Sequence, residues 1–460
     1  MRISLRIVTA PLFLLASTGH AQFVEAEATA LHTMSTNSGS FGWAISELRD
    51  VDGDGLTDVI VGQPNGGQQR GFARIHSSAT GARLYLTAGV NFGDQLGWAI
   101  ADAGDVNADG TPDIIAGAPF GGYCRLASGV DGSTILDIPA PDGVASQFGY
   151  AVSSLGDVNN DGSSDLLIGA PAYNNGINTG AGRVYVCSGA DGSVIHTLNG
   201  PGVFGAGFGQ GVSGVGDVDG DGIDDAAVSS PGRGRAYVYS GATGLQIGPD
   251  LIPTSASNSF GQFFVGGVGD LTGDGVPDVY VGDYAASRAF VFSGADGSIH
   301  LNIPGGGGAG LGCGRGLYAD ADGDGVDDLC IGAYTDATGG PSAGQVRLYS
   351  GADGSLIRAV SSNTGGTQLG FDAVGIGDVN GDGAPDFVGA ASPANTVHII
   401  AGLPLPCEPD VNGDGVLDNG DIGAFVALFL AGDLSADFNN DGILDNGDIG
   451  AFVSAFLAGC

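Results

Sequence analysis

The sequence predicts an all-β fold, a seven-bladed β-propeller of four-stranded antiparallel blades, followed by a small α-helical domain. Three observations predict it. An aspartate-rich loop recurs seven times, strand-sized apolar runs separate the copies, and a loop–helix unit is duplicated after residue 409. The loops open at Asp50, Asp105, Asp157, Asp217, Asp270, Asp320 and Asp378, at intervals of 55, 52, 60, 53, 50 and 58 residues. A period of that size marks an array of one supersecondary unit.

In chain order, residues 1–21 read as a secretory signal peptide. Arg2 and Arg6 form the positive start, Ile7 to Ser17 the apolar stretch and Gly19-His20-Ala21 a small-residue cleavage site. The stretch is too short to span a bilayer, so the mature chain is expected outside the cytoplasm, starting near Gln22. Residues 22–403 form the propeller. The third repeat shows its grammar: a strand from Phe148 to Gly156, the loop Asp157–Asp165, and the apolar run Leu166–Pro171. Then come Gly182–Cys187, the turn Ser188–Gly192, and Val194–Leu198. Short apolar runs joined by Gly, Asp and Asn turns make four antiparallel strands. The serine-glycine turn with its fourth strand occurs six times, and the seventh repeat stops near Gly402 without one. The orphan segment Ala28–Met34 is expected to complete that blade and close the ring, leaving no open sheet edge.

The net charge is −37 and all 14 basic residues are arginines. Nucleic-acid surfaces and anionic membranes require clustered cations, so both partner classes are excluded. With 43% apolar residues the acidity does not signal disorder. It is concentrated in the loops, at their first, third, fifth and ninth positions. These read Asp50, Asp52, Asp54, Asp58; Asp105, Asn107, Asp109, Asp113; Asp157, Asn159, Asp161, Asp165; and Asp217, Asp219, Asp221, Asp225. The last three read Asp270, Thr272, Asp274, Asp278; Asp320, Asp322, Asp324, Asp328; and Asp378, Asn380, Asp382, Asp386. Carboxylates so close repel one another unless a cation lies between them. Hard oxygen donors around a tight glycine turn suit Ca2+. The twelfth position is apolar, as at Val61, so these are calcium hairpins rather than EF-hands. The Thr272 loop should bind most weakly.

Each repeat opens with Phe-Gly or Leu-Gly (41–42, 96–97, 148–149, 208–209, 260–261, 311–312, 369–370), and Gly-Ala-Pro follows at 117–119 and 169–171. Residues 23–403 thereby resemble the FG-GAP repeats of integrin alpha subunits and of many secreted bacterial proteins. The resemblance implies calcium in the loops and a bacterial extracellular or cell-surface setting. The pattern departs at Gly282-Asp-Tyr, Gly332-Ala-Tyr and Val228-Ser-Ser-Pro231.

Residues 404–409 are a proline-rich linker. In 410–460 one loop holds Asp410, Asn412, Asp414, Asp418 and Asp421, and a second holds Asp437, Asn439, Asp441, Asp445 and Asp448. Each runs into an apolar helix, Ile422–Leu430 or Ile449–Leu457. This duplicated loop–helix resembles a dockerin, which implies two further calcium sites, about nine in all, and a cohesin-like or envelope partner. Helices without a basic residue depart from the family pattern. Of the cysteines, Cys407 and Cys460 bracket this segment and are expected to pair. A hairpin would place Cys313 and Cys330 nearly opposite, and Cys124 and Cys187 are left over.

These features predict a secreted or surface-attached, non-enzymatic binding and adhesion protein. Its protein or glycan ligand is expected on the face opposite the calcium loops, near Tyr173, Tyr284, Tyr334, Phe120 and Arg233. No catalytic residue is assigned. The alternative is a polysaccharide- or ester-cleaving enzyme on a propeller scaffold. The chain lacks lysine, a Gly-x-Ser-x-Gly elbow, a zinc motif and a phosphate loop, and His32, His76, His196, His300 and His398 are scattered over different blades.

Overall fold

The computed structural model describes residues 22–403 except 256 and 318, together with 411–412, 419–436, 438 and 443–458. Seven four-stranded antiparallel sheets follow one another in a ring. Blade 1 comprises Ile45–Leu48, Asp58–Gln63, Phe72–His76 and Arg83–Ala88, paired in sequence order from the axis outward. Blade 7 takes its outer strand, Ala30–Ser35, from the start of the chain, with Thr33 opposite His398 and Met34 opposite Val397. The orphan segment therefore closes the ring as expected. Residues before it clamp blade 6: Val24 N–H donates to the Ser361 carbonyl at 3.0 Å, and Glu25 accepts from Ser361 N–H at 2.7 Å.

Second strands such as Asp58–Gln63 and Asp113–Ala118 are buried at every position, because each is covered on both faces by neighbouring blades. Outer strands are partly exposed, as Arg83–Ala88 is, where only Thr87 is buried. The apolar core is a set of clusters between blades. Ile60, Ile75, Ile100 and Ile114 join blades 1 and 2, and Met34, Ile45, Val61 and Val388 join blades 7 and 1.

The Phe-Gly and Gly-Ala-Pro signatures meet across these seams. Phe148 is a fully buried wedge. Gly149 has φ +91°, and its carbonyl lies 2.0 Å from where a Cβ on Gly117 of the preceding blade would stand. Only glycine permits that backbone approach. In blade 4, where the sequence reads Val228-Ser-Ser-Pro231, Ser229 takes the glycine's place and its Oγ accepts Gly211 N–H at 2.9 Å.

After the ring, two helices, Asn419–Ala431 and Asn446–Ala458, pack on each other. Phe425 and Phe452, equivalent residues of the two copies, stack at 4.1 Å with planes 1° apart. Phe438 sits edge-on to both. Among the described residues no helix is long and apolar enough to cross a membrane.

Candidate metal loops and an aromatic mouth

Each aspartate loop joins the first strand of a blade to the second. Its first aspartate folds the turn: Oδ2 of Asp50 accepts Gly55 N–H at 2.8 Å, and Asp157 and Asp217 do the same for Gly162 and Gly222 at 2.9 and 2.8 Å. The ninth-position aspartates, Asp58, Asp113, Asp165, Asp225, Asp278, Asp328 and Asp386, are all fully buried. One oxygen of each accepts the N–H of the loop's second residue. In blade 2, Val106 donates to Asp113 at 3.1 Å, and in blade 7, Val379 donates to Asp386 at 2.9 Å. The other oxygen accepts an N–H from the turn between the third and fourth strands or its blade 7 counterpart, from Gly129 to Asp113 at 3.1 Å and from Gly402 to Asp386 at 2.7 Å. This carboxylate ties the two turns of one blade together, so both lie on one face of the ring.

Desolvation pushes the carboxyls of Asp58, Asp113, Asp165, Asp225 and Asp328 up to about 6. Nearby aspartates add to the shift, and backbone donors oppose it. A buried carboxylate in that state gains from a cation beside it.

Three loops bring first, third and ninth carboxylates within 4.8 Å of one another: Asp50, Asp52 and Asp58; Asp217, Asp219 and Asp225; Asp320, Asp322 and Asp328. These oxygen sets fit a hard divalent cation. The fifth-position aspartates stand apart from the triads and accept backbone N–H groups, as Asp221 does from Ile223 at 2.9 Å. In the asparagine loops an amide enters the cluster. Asn159 Nδ2 donates to Asp161 at 2.8 Å, and Asn380 Nδ2 donates to Asp382 at 2.9 Å. The Thr272 hydroxyl donates to Asp270 at 3.2 Å.

In the C-terminal loops Asp421 and Asp448 are fully buried, and Asp421 accepts Asn412 N–H at 3.2 Å while Asp448 accepts Asp445 N–H at 2.8 Å. Asp410, Asp414, Asp418, Asp437, Asn439 and Asp441 lie outside the described residues. So do the signal peptide, the 404–409 linker and the Cys407–Cys460 pairing. Among the described residues there is no disulfide, and Cys124, Cys187, Cys313 and Cys330 are buried free thiols. The expectation for Cys313 and Cys330 needs correction. A bulge between Cys313 and Gly316 puts Cys313 opposite Gly332 and Cys330 opposite Gly316. Cys124 and Cys187 share one core cluster between blades 2 and 3.

At the opposite end of the inner strands, aromatic rings close a circle around the axis. Trp43 touches Trp98 at 4.7 Å, Trp98 touches Tyr150 at 5.6 Å, and Tyr150 stacks on Phe263 at 5.2 Å. Phe264, Tyr284, Tyr334 and Phe371 continue the chain of contacts back to Trp43. They line a cavity of ≈ 290 Å³ with Asp372 and Cys313. Asp372 accepts Ile45 N–H at 2.9 Å across the seam between blades 7 and 1. Phe263 adopts φ +70°, a strained backbone for an aromatic residue. Tyr284 is held by its hydroxyl donating to Gln262 at 2.8 Å.

Of the residues expected on this face, Tyr284 and Tyr334 belong to the circle and Phe120 packs edge-on against Trp98 at 5.4 Å. Tyr173 lies outside it, beneath the Arg183 guanidinium at 3.7 Å, and Arg233 is exposed in a short 3-10 turn. Trp43, Trp98, Tyr150, Phe263, Phe264 and Phe371 were missed. The signal for Trp43, Trp98, Tyr150 and Phe371 was the residue following each Phe-Gly or Leu-Gly pair.

Residues 148–187 match the FG-GAP repeat family, and residues 50–116 and 217–281 match FG-GAP-like repeats. The chain carries FG-GAP repeats. Over 224 residues it is 33% identical to integrin alpha-5 of Xenopus laevis, covering 43% of this chain and 21% of that one. Integrin alpha-V of Gallus gallus is 32% identical over 219 residues, with the same coverage. Integrin alpha pat-2 of Caenorhabditis elegans is 34% identical over 224 residues, 41% of this chain and 18% of the relative. The matched part of this FG-GAP propeller thus spans about a fifth of the length of these relatives.

None of the five histidines of the propeller lines the aromatic cavity, but the expectation of one blade each needs correction, because His32 and His398 lie on paired strands of blade 7. His32 and His196 each reach across a seam to a backbone carbonyl, Ala79 at 2.8 Å and Ala242 at 3.2 Å.

Proposed function

We propose that the chain is a secreted or surface-attached, non-enzymatic adhesion protein whose FG-GAP propeller binds an extracellular protein ligand at the aromatic mouth. The observation that carries this reading is the closed circle of eight rings around a cavity lined by Asp372. Aromatic faces with a carboxylate nearby favour an apolar or cationic side chain. Exposed apolar residues on the same face extend the surface over blades 1–4: Phe92, Phe120, Val144, Ile177 and Phe204, the last two 88% and 78% exposed. Isolated exposed side chains are ordinary, but a grouping around a cavity favours partner contact.

Calcium is the ion we assign to the loops, with the first, third, fifth and ninth positions as its ligands, and the carboxylate triads of three loops support that reading. Its role is structural, bracing each strand connection so that the opposite face stays rigid. Residues 410–460 act as a calcium-dependent anchoring or assembly module, for which a cohesin-like or envelope partner is one candidate.

Trp43 and Trp98 are the chain's only tryptophans and both line the mouth, so tryptophan emission reports on it. Titrating the calcium-loaded full chain with extracellular proteins and glycans should reveal a protein ligand that shifts that emission, and Tyr334→Arg should abolish its binding. A ligand bound equally well by Tyr334→Arg, or turnover of a polysaccharide or ester, would displace this reading. EGTA should lower the melting temperature, and an unchanged melt would remove the calcium assignment.

A further inference from the structure

The two C-terminal helices have an outer surface unlike that of a solvated helix. Asn419–Ala431 and Asn446–Ala458 contain no charged residue except the buried Asp421 and Asp448. A helix facing water ordinarily carries a charged or polar side. Here the outward residues form two apolar stripes at i, i+4 and i+8: Ile422, Val426 and Leu430, and their copies Ile449, Val453 and Leu457. Their exposures run from 39% for Ile449 to 80% for Leu430. The residues that pack inward, Phe425, Phe429, Phe452 and Phe456, are separate from the stripes. The exposed stripes therefore do not belong to the internal core of the pair.

We propose that this surface pairs with the same surface of a second copy of the chain, the four helices forming a bundle. The duplication of the surface points to that occupant. Phe425 and Phe452 hold equivalent positions in the duplicated sequence and stack on each other, so each stripe has a duplicate in the same unit. A twofold contact between identical chains uses the same patch on both partners, so stripe meets stripe. Charge points the same way. Two chains of net charge −37 repel wherever their acids meet, and among the described residues the two helices carry no acid besides the buried Asp421 and Asp448. Area reaches the lower limit: six side chains so exposed offer at most roughly 500–600 Å² per chain, or about 1,000–1,200 Å² buried in a pair, at the threshold of a stable interface. The inference deepens the assembly role proposed for residues 410–460 and is independent of what the aromatic mouth binds.

Sedimentation velocity of the full chain in calcium tests it. The wild-type mass should rise from one chain to two between about 0.1 and 50 µM, a micromolar dimer consistent with an interface of that size. Leu430→Glu with Leu457→Glu should remain a single chain throughout that range. Ala427→Glu, on an exposed position off the stripes, should dimerise like the wild type. Should the glutamate pair make the tail protease-sensitive, Val426→Gln with Val453→Gln, which adds no charge, decides the matter by the same loss of dimer. A wild-type chain that stays single at 50 µM overturns the inference and leaves the anchoring role to be read from retention on cell envelopes. Dimerisation of a folded stripe variant, or its loss in Ala427→Glu, also overturns it.

Discussion

Replacing Asp225 by alanine in metal-free buffer isolates what the ninth-position carboxylate does for the fold from what it does for an ion. Asp225 is fully buried and accepts three backbone N–H groups, from Val218 at 2.7 Å, Asp219 at 3.1 Å and Gly241 at 3.0 Å. Alanine leaves three donors without their acceptor. Each buried, unmade hydrogen bond costs ~1–3 kcal/mol, and shared relaxation brings the three to roughly 3–6 kcal/mol. Asp219 is the internal control. It belongs to the same carboxylate triad but is exposed, and it accepts one N–H, from Asp221 at 3.2 Å. Asp219→Ala should therefore cost below about 1 kcal/mol without metal. Denaturant unfolding in EGTA, followed by far-UV circular dichroism, measures both. With calcium added, wild type should be stabilised relative to both variants. Equal losses for the two variants in EGTA, or an Asp225→Ala loss under about 1 kcal/mol, would refute the assignment of Asp225 as the tie between turns.

Asn159→Asp converts the third loop to the composition of the first, fourth and sixth, and should tighten calcium there about tenfold by calorimetric titration. An unchanged affinity would show that the Asn159 amide already presents its oxygen to the ion. Gly117→Ala drives a Cβ to 2.0 Å from the Gly149 carbonyl, so the seam between blades 2 and 3 must open. A loss above about 3 kcal/mol, or failure to fold, is expected, and a wild-type melt would contradict the packing. Burial lowers the His76 imidazole to about 4, against 6.5 for the free side chain. Its folded value is depressed, so the unfolded chain takes the proton first. The stability it contributes is present above pH 6.5 and lost as pH falls toward 4, by on the order of 2 kcal/mol. His76→Gln should flatten that part of the pH–stability curve, and identical curves would exclude His76 as a source of acid sensitivity.

The ring was legible because its causes are local and repeated. Asp-x-Asp/Asn-x-Asp-Gly turns, apolar strand runs and the unpaired Ala28–Met34 segment fix blade count and closure without long-range information. The aromatic mouth was legible only in part. Trp43, Trp98, Tyr150 and Phe371 occupy one position of the repeat, but in blades 4, 5 and 6 that position holds Gln210, Gln262 and Cys313. The circle is completed there by Phe263 and Phe264, displaced along the strand start, and by Tyr284 and Tyr334 from a different loop. Those two tyrosines were visible as departures from Gly-Ala-Pro. That a departure in one loop fills a gap left by another is apparent only once the blades surround a common axis. The Cys313–Cys330 expectation failed for a related reason, since a bulge shifts register without a local signature.

Comparing the seven repeats within this one chain separates two demands on the aspartate loop. The ninth position is aspartate in every repeat, whereas the third is aspartate in three, asparagine in three and threonine in one. If the loops served only to hold ions, both positions would be under similar constraint, because both carboxylates enter the triads. The geometry explains the asymmetry. The ninth residue is buried and accepts backbone donors from two turns in all seven blades, so the fold requires it whether or not an ion is present. The third is mostly exposed and its oxygen accepts a single N–H, that of the fifth residue, as at Asp219 and Asn159, so its side chain can vary with the cation affinity chiefly at stake. A graded series of affinities around one rigid ring follows: the all-aspartate loops of blades 1, 4 and 6 tightest, the asparagine loops of blades 2, 3 and 7 intermediate, and the Thr272 loop of blade 5 weakest. A calcium titration resolving seven equivalent propeller sites would contradict that separation.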